Sequence, residues 1–108
     1  MGYRSKVIFG IITEEKNKID NLLKKHSLLD VYDEIKEGDF TIYSSKYDLK
    51  WYDMYSDVND INELIQELSY DDKAFMVCLG EDGELHNEEG VWFDFVGHVS
   101  YLKIYSNQ

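Results

Sequence analysis

The hydrophobic pattern opens with an apolar run at residues 7–12, apolar on both alternating faces, which predicts a central strand covered on both sides. Thr13 followed by Glu14 and Glu15 predicts a helix start, with the hydroxyl as cap and the acids facing the positive end of the dipole. Ile19, Leu22, Leu23 and His26 then recur at helical spacing, with lysines on the other face. Leu28, Val31, Tyr32 and Ile35 predict a second short helix, closed by Gly38 as its C-terminal cap. Residues 40–43 and 47–52 alternate with period two and predict a hairpin. The clearest helix follows, capped by Ser56 or Asp57, with Val58, Ile61, Leu64, Ile65 and Leu68 as its buried stripe.

Residues 74–79 predict a second apolar strand and residues 80–83 a turn. Residues 84–89 read as a loop or an edge segment, and residues 91–95 and 99–105 as further strands. This order predicts an α+β fold: an antiparallel sheet with two helices on one face, a sandwich of ferredoxin-like type. A chain of 108 residues with no proline and no Gly/Ser-rich linker is expected to form one domain over residues 1–108. The aromatic content of 15% argues against disorder, despite a net charge of −11.

Charge changes the picture because it is segregated. Residues 1–50 hold nine acids and nine bases, whereas residues 51–108 hold thirteen acids against Lys73 and Lys103. On the helix that starts at Ser56 or Asp57, Asp57, Asp60, Glu63 and Glu67 form an outward acidic face, followed by Asp71 and Asp72. Glu81, Asp82, Glu84, Glu88 and Glu89 make an acidic turn and its flank. These eleven residues are the candidate partner-binding surface. Carboxylates so placed can imitate nucleic-acid phosphates and occupy a basic groove on another protein. The alternative for an acidic surface is simple solubility. A second class of function is a small-molecule pocket built from Arg4, Trp51, Tyr52 and Trp92.

Enzymatic chemistry ranks third. His26, His86 and His98 are scattered, and no His-x-x-x-His, Cys-x-x-Cys or glycine-rich phosphate loop is present. An EF-hand register with Gly83 sixth puts Cys78 first and Gly80 third, which removes two ligands; no metal or other cofactor is expected. Cys78 is alone in an apolar run and reads as an inert buried thiol. Direct nucleic-acid binding lacks a basic footprint. The longest apolar run is too short for a membrane span, and the N-terminus lacks a signal-peptide layout, so a cytoplasmic protein is expected.

The opening Met1, Gly2, Tyr3, Arg4, Ser5 before an apolar strand resembles that of a group of small, mostly uncharacterised bacteriophage and prophage proteins. Lys50, Trp51, Tyr52 and Asp53, with Tyr55, Asp57 and Val58, are similar to the central segment of that group. Leu79, Gly80, Glu81 and Asp82, with Glu88, Glu89 and Gly90, are similar to its acidic turn. The resemblance implies an accessory protein in the bacterial host cytosol that binds and blocks a host factor, such as defence or DNA-binding machinery. It also singles out Arg4, which has two readings: a partner for the acids of the turn or for Asp53, or a solvated surface arginine. The partner expected is a host protein with a basic surface; self-association is left open.

Overall fold

A computed structural model describes residues 3–90. Strand β1 (Ser5–Ile12) leads through a 3-10 turn (Thr13–Glu15) into helix α1 (Lys16–Lys25). Strands β2 (Tyr32–Glu37) and β3 (Phe40–Ser45) precede helix α2 (Ser56–Ser69), and strands β4 (Ala74–Gly80) and β5 (Leu85–Gly90) complete the order. The five strands form one antiparallel sheet in the order β2-β3-β1-β4-β5. The architecture is α+β, with both helices packed against one face, and β5 widens the sheet beyond four strands.

Central placement explains why β1 is apolar on both faces. Phe9 lies opposite Tyr43 on one side and Met76 on the other. Val7, Phe9 and Ile11 join Ala74, Met76 and Cys78 beneath Ile19 and Leu23 of α1 and Val58, Ile61, Ile65 and Leu68 of α2. Each such aliphatic side chain, fully buried, stabilises the fold by about 1.5–3 kcal/mol relative to exposure. Phe9 stacks on Tyr43 and meets Tyr32 edge-on, with ring centroids 5.1 and 5.2 Å away. Ile8, Ile42, Phe75 and Val77 form a second buried cluster on the opposite face of the sheet. Cys78 is buried in the helix-side core, as expected, and desolvation holds its thiol protonated.

Several local expectations are corrected. Residues 32–37 form a strand, because Gly38 and Asp39 are a two-residue connection that brings Ile35 opposite Ile42. Residues 47–52 form no strand with β3; Leu49 instead bridges Ser5 through paired backbone hydrogen bonds of 2.8 Å. The Thr13 hydroxyl caps no helix but meets the Thr41 hydroxyl at 3.0 Å, tying the turn to β3. Neither Ser56 nor Asp57 caps α2: Tyr55 occupies that position without a side-chain bond, so packing holds the helix. The expected strands at 91–95 and 99–105, with Trp92, lie outside the described residues.

Among the described residues no helix is long and apolar enough to cross a membrane.

Candidate functional site

The structure divides the predicted acidic surface according to where each carboxylate leaves α2. Successive helical residues are about 100° apart, so Asn59, Asn62, Glu63 and Gln66 share one stripe while Asp60 and Glu67 share the next. The second stripe faces α1. Asp60 meets His26 Nε2 at 2.8 Å and Lys25 Nζ at 3.5 Å, and Glu67 acts electrostatically on Lys18. The bond from His26, helped by Lys25, holds the Asp60 carboxyl below its ordinary range.

This depression gives Asp60 a signed pH effect. Its contribution to stability is complete above the unfolded carboxyl value of about 4 and is lost as pH falls through the lower folded value. Urea midpoints followed from pH 6 to pH 2 should therefore fall less steeply in Asp60→Asn than in the parent. Parallel curves would refute the role of this contact.

The first stripe of α2 faces β5 and forms one wall of a groove of about 400 Å³. Asp53, Asn59, Asn62, Glu63, Gln66, Met76, Asn87 and Glu89 line it, and none of them is basic. Each carboxylate is held by a carboxamide of α2. Asn59 donates to Glu63 Oε1 at 3.2 Å, Asn62 to Asp53 Oδ1 at 2.9 Å and Gln66 to Glu89 Oε1 at 3.3 Å. The Asp53 acceptor also fixes the Asn62 amide orientation, leaving Asn62 Oδ1 buried without a hydrogen-bond partner among the described residues.

A bulge in β5 completes the groove. His86 lies opposite Cys78 and Glu89 opposite Met76, so Asn87 and Glu88 together face Val77. Asn87 adopts φ +53°, a left-handed conformation that asparagine tolerates better than most residues. Strict alternation from His86 would turn Glu88 toward α2. The extra residue turns Glu89 there instead.

The remaining candidates lie elsewhere. Asp71 and Asp72 are exposed in the turn that enters β4, while Glu81, Asp82 and Glu84 occupy the turn that leaves it. A seven-residue strand separates those turns by about 20 Å. Asp57 lies in the first turn of α2, complementing its dipole, and its charge acts on the Tyr32 phenol. Glu88 is exposed. The three acidic regions are thus distinct surfaces.

Sequence reasoning expected the N-terminus to meet the acidic turn, and it does, through groups other than the Arg4 side chain. The Tyr3 hydroxyl donates to Asp82, which raises the phenol to about 12 and lowers the Asp82 carboxyl. The Arg4 and Glu81 backbones join, with Glu81 N–H donating to Arg4 O at 2.9 Å. Arg4 itself is exposed and makes no ion pair among the described residues. Tyr52 receives the Tyr3 N–H on its hydroxyl, and Trp51 is 8% exposed in the core. Neither Arg4, Trp51 nor Tyr52 lines the groove.

The fold also assembles a chain invisible in the sequence. His86 Nδ1 lies 2.9 Å from Asn87 Oδ1 and Nε2 lies 2.8 Å from Ser5 Oγ. With the proton on Nδ1 facing the amide oxygen, Ser5 donates to Nε2, the polarity of an acyl-transfer triad. Ser5 is only 1% exposed, so this chain ties β1 to β5 and does not present a nucleophile to a substrate.

The fold and groove define a small acidic α+β protein with a carboxylate–carboxamide cleft. Comparison with protein-family models, with curated proteins and with solved structures finds no match.

Proposed function

We propose that the protein binds a basic surface on another protein, with the groove between α2 and β5 as the centre of contact. The observation that carries this reading is the groove's lining: three carboxylates, each oriented by an α2 carboxamide, and no base among the described lining residues to neutralise them. Such a field accelerates encounter with a positive partner and weakens as salt rises. The resemblance to phage accessory proteins supports a host DNA-binding or defence protein as the partner, blocked in the bacterial cytosol by an acidic surface that substitutes for nucleic acid.

The test is a pull-down with tagged protein from bacterial lysate at low and high salt. Basic, nucleic-acid-binding proteins should be retained at low salt, released at high salt and displaced by added DNA. Glu63→Lys combined with Glu89→Lys should abolish retention. Glu67→Lys should weaken it far less, because Glu67 faces α1. Retention of the same partners by the doubly reversed variant would refute the reading.

The groove's volume also lies within the range of small-ligand sites, roughly 300–1,000 Å³. This supports a second reading, capture of a small organic cation. A ligand of that kind would raise the melting temperature by mass action, without any protein partner.

A further inference from the structure

We infer that strand β2 docks a second copy of this chain, edge to edge, through an antiparallel pairing centred on Ile35. β2 closes one end of the sheet, and among the described residues it pairs with β3 alone. Residues 33–37 all stay exposed, Ile35 at 55%, so the strand is open on its outer side. A strand so placed offers a row of backbone N–H and C=O groups to another strand.

The hairpin decides which groups are offered. Lys46 N–H donates to Val31 O at 2.9 Å, one step beyond the Tyr32–Ser45 pair. Hydrogen-bonded and non-hydrogen-bonded pairs alternate along an antiparallel ladder. Asp33, Ile35 and Glu37 therefore turn their backbone groups toward β3, and Tyr32, Glu34 and Lys36 turn theirs outward. Two-fold pairing must match outward residues with one another. The registers that do so over most of the strand are centred on Glu34 or on Ile35.

Side chains separate the two registers. Centring on Glu34 sets that carboxylate against itself and Ile35 against Asp33. Centring on Ile35 sets Glu34 against Lys36 twice, by symmetry, and Ile35 against its own copy. The second register alone matches unlike charges and joins apolar to apolar. In it Glu34 and Lys36 exchange backbone bonds in both directions. Ile35 falls at a non-hydrogen-bonded position, where facing side chains stand closest. Lys16 of α1 meets Glu34 Oε1 at 2.6 Å, which holds that carboxylate on the helix side of the sheet, the side to which Lys36 also projects.

On the other side Asp33 faces Glu37 of the second copy, and each chain carries a net charge of −11. The association is therefore reversible and tightens as salt screens the repulsion. Binding of a basic partner has the opposite dependence. The described strands of the dimer run β5-β4-β1-β3-β2-β2-β3-β1-β4-β5, with an α2–β5 groove at each far end.

Sedimentation velocity of the full-length protein over a concentration series should show a monomer–dimer equilibrium that added salt shifts toward dimer. Hydrogen exchange at the Glu34 and Lys36 amides should slow as concentration rises, while the Ile35 amide, bonded to β3, changes far less. Asp33→Lys sets a base against Glu37 of the second copy and should tighten the dimer about tenfold. Lys36→Glu sets like charges at both contacts with Glu34 and should leave monomer. Adding Glu34→Lys to that variant makes the charges unlike again and should restore the dimer. A chain that stays monomeric at every concentration and salt would overturn the inference. So would a dimer indifferent to Lys36→Glu, which would put the contact on another surface. Either result leaves the basic-partner reading standing, because the groove lies at the other end of the sheet.

Discussion

Gly10→Ala should destabilise the protein by about 2–3 kcal/mol, the cost of overpacking a filled core. Gly10 sits in the middle of β1, opposite Ile42 on one side and Phe75 on the other. The Phe75 ring folds across the glycine, so an added Cβ would fall on its Cε2 and Cζ atoms. Phe75 is fully buried, and Phe40 stands 5.9 Å from it, centroid to centroid, so the ring has no open side to retreat into. Urea unfolding should register this as a lower midpoint at unchanged slope. Phe75→Leu removes the ring edge that the new methyl strikes. The double variant should therefore be more stable than the sum of the two single costs by about 1 kcal/mol. Strict additivity would show that the ring does not set the limit at Gly10.

Gly90→Ala should cost about 3 kcal/mol and act on the groove directly. Its φ of +67° is itself unfavourable for an L-residue by about 1–2 kcal/mol. The new Cβ would also overlap the Ala74 carbonyl oxygen and lie 3.2 Å from both Phe75 Cα and Ser69 Cβ. Two of these neighbours are backbone atoms in the sheet, so the conflict is relieved only by parting β5 from β4. Glu89 is the adjacent residue. Its alignment with Met76 and its bond from Gln66 would go with the parting. Hydrogen exchange should show lost protection along β5 while β1 and β3 keep theirs, and binding of a basic partner should fall in parallel. Unchanged protection in β5 would refute the account.

The legible parts of the fold are those with a buried face and a strong period. Val58, Ile61, Ile65 and Leu68 announced α2 because all four enter one core. The apolar runs of β1 and β4 announced interior strands because both sheet faces are covered there. Segment 32–37 misled because only Tyr32 is buried, and the remaining edge positions carry no alternation to read. Spacing from Leu28 to Ile35 then mimicked a helix, and pairing with β3 overrode it.

By itself the sequence determined the α+β class, the two helices, the interior strands and the concentration of negative charge after residue 50. Those properties follow from composition and from burial repeating at fixed periods along the chain. Tertiary structure alone decided what the charge surrounds. Glu63 and Glu67 are one turn apart, yet one enters the groove and the other faces α1. Glu88 and Glu89 are neighbours, and the bulge at Asn87 selects Glu89. Asp53 reaches the site from a loop, nine residues before Asn62, which holds it. Helix orientation and strand phase depend on contacts between residues distant in sequence, so local pattern could count these carboxylates but not assemble them.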